Sequence, residues 1–237
     1  MNITPLSDYS RDTVDRLLRV IHLFRDVRAI SEWQYDILLK RSHLTTLAPG
    51  EKLLALGDGV GEMDHWVYFL LRGELQVHVN SPTGGRAMRP LATVRPGELF
   101  GDLAMLLAEP RSADVIAASG NLETQVLGVD STLFSDLEDF SLLTLPTKLV
   151  FYRNMVHSLR WKLEVYRSQY SSHPLANSHR KLKLYTGAKN CVEELRALAD
   201  QARALGRILL QWNAEFCSGE LMDEKTEMAD FLKAMLS

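Results

Sequence analysis

Cysteine is scarce. Cys191 and Cys217 are the only two in 237 residues, with no CxxC and no metal-ligand spacing between them. That excludes a disulfide framework and a thiolate metal centre, and it implies a reducing, cytoplasmic setting. Long apolar runs are missing too: no stretch approaches the roughly 20 residues that a membrane-spanning helix needs. The start, Met-Asn-Ile-Thr-Pro-Leu-Ser-Asp, has neither the basic region nor the apolar core of a secretory signal. Charge of one sign is absent, because 27 Lys+Arg against 30 Asp+Glu leave a net charge of −3. No global attraction to nucleic acid or to an anionic membrane follows from that balance. The seven histidines are scattered and form no ligand cluster, so no metal is expected. No nucleophile stands at a readable spacing from a base, and Gly84-Gly85 lacks the lysine and the strand-to-helix context of a P-loop, so the chain is not expected to be an enzyme.

What is present reads as a helical start, a strand-rich middle and a helical end. The length suffices for one core and a second small module. Asp12 or Thr13 can cap a helix with apolar positions Val14, Leu17, Leu18, Ile21 and Phe24. Ser31 begins another, with Ile30, Trp33, Ile37 and Leu38 as its expected inner face. From Leu44 short apolar runs alternate with breaks: Lys52–Leu56, Trp66–Leu71, Leu75–Val79, Met88–Val94, Asp114–Ala118 and Thr124–Val129 are separated by Pro49-Gly50, Gly57-Asp58-Gly59, Asn80–Gly85 and Pro96-Gly97. This is the pattern of a compact antiparallel roll, with Asn80–Gly85 as an exposed hairpin loop.

Within the roll, residues 100–113 read Phe-Gly-Asp-Leu-Ala-Met-Leu-Leu-Ala-Glu-Pro-Arg-Ser-Ala. Gly101 and Asp102 precede a short apolar helical turn, and Pro110 returns the chain to Arg111 and Ser112. Such a turn aims backbone N–H groups and one guanidinium at a single point, where an anion fits. Arginine suits phosphate because its planar fork donates parallel, charge-assisted hydrogen bonds. Asp102, nine positions earlier, would repel the same phosphate and needs a neutral donor such as a sugar hydroxyl. Together the two suggest a nucleotide.

These residues resemble the phosphate-binding cassette of the cyclic nucleotide-binding domain family, roughly F-G-E-(L/I)-A-L…P-R-(A/S/T)-A. Upstream, Pro49-Gly50-Glu51-Lys52-Leu53-Leu54 with Gly57-Asp58, and Val67-Tyr68-Phe69-Leu70-Leu71-Arg72-Gly73-Glu74-Leu75, resemble the family's first strands. The likeness runs from about Leu23 to Leu137. It implies an antiparallel β-roll in which Arg111, Ser112 and Ala113 hold the phosphate, while Gly101, Asp102, Leu103 and Ala104 line the ribose side. Asp102 departs from the glutamate that the family uses on the ribose 2′-hydroxyl; it is one methylene shorter, about 1.2–1.5 Å of reach. Cyclic AMP is the first expectation, cyclic GMP the next, and a cyclic dinucleotide stays open.

Thr132–Leu137 reads as a short helix, and Pro146 can open a long one. Leu149, Tyr152, Val156, Leu159, Leu163 and Tyr166 then repeat at 3 and 4, a seam of about two and a half heptads. The resemblance implies that a helix here pairs two subunits and closes over the base, with Arg160, Tyr166 and Arg167 as candidate lid residues; packing on its own domain is the alternative. No helix-turn-helix is readable after Ser172. Instead a helix is predicted over Ala188–Phe216 and a shorter one over Glu220–Leu236, and the small basic cluster His179-Arg180-Lys181-Leu182-Lys183 reads as solvated rather than as a nucleic-acid contact.

The expected architecture is therefore α+β. N-terminal helices (1–45) come first, then the β-roll (46–140), a long connecting helix (141–171) and a small all-α module (172–237). The expected function is a cytoplasmic, homodimeric cyclic nucleotide sensor that signals to a protein partner, without membrane or nucleic acid. Alternatives are a divergent DNA-binding regulator and a ligand-free homodimeric scaffold.

Overall fold

A computed structural model describes residues 1–59, 65–79, 90–120 and 123–218. A short strand β1 (Asn2–Pro5) is followed by three helices, α1 (Arg11–Leu18), α2 (His22–Ile30) and α3 (Glu32–Lys40). Strands β2 (Ser42–Leu47), β3 (Lys52–Leu54), β4 (Trp66–Arg72), β5 (Leu75–His78), β6 (Ala92–Val94) and β7 (Leu99–Phe100) come next. The short helix α4 (Asp102–Leu107), strands β8 (Asp114–Ala117) and β9 (Thr124–Asp130), and two long helices, α5 (Leu145–Gln169) and α6 (Val192–Ser218), complete it. Every strand pairing is antiparallel, in a five-stranded sheet ordered β1-β2-β9-β4-β7 and a four-stranded sheet ordered β3-β8-β5-β6. This is the α+β architecture expected, a β-roll flanked by helices.

Strand β4 shows how the roll is held. Val67–Leu71 are all buried, which a strand with one wet face would not show. Alternation sends Tyr68 and Leu70 into the core between the sheets, with Leu75, Val115 and Val126, and sends Val67, Phe69 and Leu71 into the larger core under the helices. Two buried faces explain why the run reads as continuous.

Several sequence expectations need correction. The first helix is capped by Ser10, whose hydroxyl accepts from the Thr13 N–H, and it breaks before α2, so Ile21 and Phe24 belong to a second element. Ser31 caps α3 as expected, but the inner face is Gln34, Tyr35, Leu38 and Leu39, while Ile30 and Trp33 are exposed. Gln34 is drawn inward because its amide nitrogen donates to the Leu142 carbonyl at 2.9 Å and its oxygen accepts from the Thr144 N–H at 2.8 Å. Residues 131–134 form a 3-10 turn in place of a helix reaching Leu137. The strands β1, β2 and β7 had no expected counterpart, because short or polar segments such as Asn2–Pro5 carry no alternation to read. The hairpin loop expected at Asn80–Gly85 and the helix expected over Glu220–Leu236 lie outside the described residues.

The seam on α5 is consumed within the chain. Leu149, Tyr152, Val156, Leu159, Leu163 and Tyr166 are all buried, and α5 packs along α6 and against α2. On α6 the matching stripe of Leu195, Ala199, Ala202, Leu205, Leu209 and Trp212 is buried as well. Arg153 of α5 meets Glu194 of α6 through Nη2–Oε2 and Nη2–Oε1 contacts of 2.8 and 2.9 Å. At the other end Trp212 lies 5.6 Å from Tyr166 and 4.6 Å from His173, centroid to centroid. In the basic cluster Arg180, Lys181 and Lys183 are exposed, as expected, but His179 is buried, and its Nε2 and the Arg180 Nε both reach Glu164 Oε1, at 2.9 and 2.8 Å. Hydrogen bonds from Arg180, then His179 and Arg167, hold the Glu164 carboxyl far below its usual range.

Candidate functional site

The chain leaves β7 through Gly101, whose φ of 72° is left-handed, and enters α4 at Asp102. Only glycine fits there: the backbone conformation strains other residues, and a β-carbon would stand 3.1 Å from the Tyr68 ring and 3.2 Å from Arg111 Nη1. After α4 the chain returns through Pro110, so that Arg111 lies beneath Gly101. Arg111 Nη1 donates to the Gly101 carbonyl at 2.7 Å and Nη2 to the Trp66 carbonyl at 3.2 Å. Its main chain is fixed as well, the N–H donating to the Asp58 carbonyl at 2.7 Å and the carbonyl accepting from the Gly57 N–H at 2.9 Å. Arg111 is thus buried, 5% exposed, its guanidinium joining β4 to the cassette and its main chain joining the cassette to the Gly57-Asp58 turn.

Among the described residues, two side-chain hydrogen-bonding contacts tie this cassette to the long helices. Asp102, buried at the start of α4, receives Lys162 Nζ of α5 on both oxygens, at 3.0 and 3.1 Å. Asn213 Nδ2 of α6 donates to Ser112 Oγ at 3.3 Å. Helix α6 also approaches α4 closely at Gly206, where a β-carbon would stand 3.3 Å from Leu103 Cδ2.

A cavity of about 200 Å³ opens at this junction. Gly101, Asp102, Leu103, Ala104, Arg111, Ser112 and Ala113 all line it, so the cassette residues expected from the sequence share one space. Of the three expected lid residues only Tyr166 does; Arg167 is turned to Glu164, Nε donating to Oε2 at 2.7 Å, and Arg160 lies off the cavity. Burial pushes the Tyr166 phenol well above its usual range, so it stays a neutral hydroxyl. Trp161, Lys162 and Asn213 line the cavity without having been expected. A signal existed for the first two: Ser158, Trp161, Lys162 and Val165 stand at helical spacing as a second stripe of α5, beside the seam. Nothing in the sequence pairs Asn213 with Ser112, 101 positions away. Among the described residues no group of three or more His, Cys, Asp or Glu could hold a metal ion, and no helix is long and apolar enough to cross a membrane.

Residues 44–137 match the cyclic nucleotide-binding domain. A solved structure shares the fold. A cyclic nucleotide-binding domain from Methylobacillus flagellatus is similar at 19% identity and TM-score 0.51, over 72% of this chain and 88% of that one. The regulatory domain of Toxoplasma gondii PKA with cAMP is similar at 19% identity and TM-score 0.43, over 60% and 49%. The sensor domain of the transcriptional regulator DNR from Pseudomonas aeruginosa is similar at 17% identity and TM-score 0.43, over 74% and 97%. The chain spans about half the length of the kinase A regulatory proteins that it matches. No curated protein matches it. Helices α5 and α6 lie after the end of the cyclic nucleotide-binding domain match, yet α5 and α6 supply one wall of the cavity.

Proposed function

We propose that the chain is a cyclic nucleotide sensor, for cyclic AMP first and cyclic GMP next, that transmits binding to a protein partner and does no chemistry of its own. The observation that carries this reading is the convergence of Arg111, Ser112 and Gly101–Ala104 on one cavity. The Arg111 guanidinium, oriented by the carbonyls of Gly101 and Trp66, lines the cavity, and its planar fork suits a phosphodiester anion. Ser112 can donate its hydroxyl to the same anion. Trp161, 60% exposed at the cavity, offers a π-face to a base, with Tyr166 beyond it.

Transmission follows from the two polar contacts. Ser112 Oγ accepts from Asn213 of α6 and can give its own proton to a phosphate, so a bound anion is linked to α6 through the hydroxyl, and a shift of α4 carries Lys162 with it. Binding would therefore bias the positions of α5 and α6 relative to the roll, as a population shift. Outward faces of these helices would present the output surface in a cytoplasmic setting. Pairing with a second copy has to use a face of α5 other than the seam, which is already buried. DNA reading is disfavoured, because His179 and Arg180 of the one basic cluster are spent on Glu164.

Calorimetric titration of the full chain with cyclic AMP, cyclic GMP and cyclic di-GMP tests the proposal. One ligand should bind at micromolar affinity or tighter, and Arg111→Ala should weaken it by about 100-fold, the loss of a charge-assisted pair of bonds. If that variant melts early, Ser112→Ala provides the milder test, with a loss of about three- to tenfold. Silence from all three ligands would favour the ligand-free scaffold instead, a reading for which the Lys162–Asp102 ion pair already speaks.

A further inference from the structure

Asp102 is the one cassette carboxylate whose occupant the structure identifies. Its side chain is 3% exposed, and Lys162 Nζ bridges both oxygens at 3.0 and 3.1 Å. The lysine reaches it from α5, 60 positions away, on the stripe that faces the cavity. A sugar hydroxyl arriving at this carboxylate would offer one neutral hydrogen bond. It would have to displace an ammonium that makes two charge-assisted ones, and the displaced carboxylate would be a buried, unpaired charge meanwhile.

Building on the nucleotide reading above, we propose that Lys162 determines the selectivity of this site. By occupying Asp102 it makes recognition indifferent to the 2′-hydroxyl of the sugar, so the site selects its ligand through phosphodiester and base. The ligand class is then 3′,5′-cyclic nucleotides of either sugar, and the ion pair persists in the complex as a strut between α4 and α5.

The test compares the full chain's affinity for cyclic AMP and cyclic GMP with that for their 2′-deoxy analogues, by calorimetry. The ribo and deoxy forms of the preferred nucleotide should bind within about threefold of each other, less than one ordinary hydrogen bond supplies. Lys162→Met frees the carboxylate, and the ribo form should then be preferred by about tenfold or more, the discrimination expected of a site built to bond a hydroxyl. In the double variant Lys162→Met/Asp102→Asn that acquired preference should shrink again, and its neutral pair keeps the comparison available if the single variant melts early. A wild-type preference for the ribo form of about tenfold or more would overturn this inference while leaving the sensor reading intact. Wild-type binding of none of the four nucleotides would overturn both.

Discussion

Arg111 and Asp102 were both legible as a pair of opposite charges around an anion site, and both lie in the cavity. What each one does was only half legible. Arg111 was readable as a phosphate ligand; its second task, donating to the carbonyls of Gly101 and Trp66, depends on a loop closure that no spacing reveals. Asp102 was readable as an acid awaiting a neutral donor, whereas its partner is a cation from a helix 60 positions later. The same blindness to long-range contact hid Asn213. Its bond to Ser112 yields a prediction at this scale. Asn213 donates to the Ser112 oxygen and leaves the hydroxyl proton for the ligand, so Asn213→Ala removes the bond that aims that proton, and affinity for the cyclic nucleotide should fall about two- to tenfold, the worth of one hydrogen bond. Titration of the variant beside the wild type checks it; unchanged or tighter binding would show that Asn213 does not orient the hydroxyl for the ligand.

At the scale of elements, periodicity performed well where a strand has two apolar faces and poorly where a polar side chain is drawn inside. The continuous run Val67–Leu71 predicted β4. Ser42–Leu47 escaped notice because His43, Thr45 and Thr46 look like a wet segment, yet His43 and Thr45 are buried. His43 finds room only because it packs over Gly128 of β9: a β-carbon there would stand 2.4 Å from the imidazole Cε1. Gly128→Ala should therefore destabilise the fold by about 1–3 kcal/mol through overpacking, read as a lower urea midpoint. A tolerated alanine would mean that the ring can swing away. Burial also depresses the His43 pKa. The sign follows: the unfolded chain takes up the proton first, near pH 6.5, so stability is intact above that pH and falls as pH drops through it. Urea titrations between about pH 7 and pH 5 should show that loss, and it should be smaller in His43→Leu, which has no imidazole to charge.

The whole molecule joins what the sequence divides. A helical tail after the roll was legible; which way its apolar stripe faces was not, because a stripe carries no address. In the structure α6 completes the burial of α5 and reaches the cassette through Gly206, Leu209 and Asn213. Two outcomes follow. Trp212→Ala, at a fully buried position, should lower stability by about 3–5 kcal/mol, with one cooperative transition rather than an early loss of the tail alone. A chain ending at residue 171 should leave the α5 seam bare and aggregate or self-associate, which sedimentation would detect; a soluble monomer of that length would show that α6 is an accessory. The domain match by itself, residues 44–137, predicts neither result.

The internally filled seam also bears on abundance. A helix that needs a second copy to cover its apolar stripe folds better as the protein accumulates, so its melting temperature and its response both drift with expression level. Here the chain supplies its own second strand of that zipper. The helix next to the cavity is therefore as well formed in a cell holding a few copies as in one holding thousands.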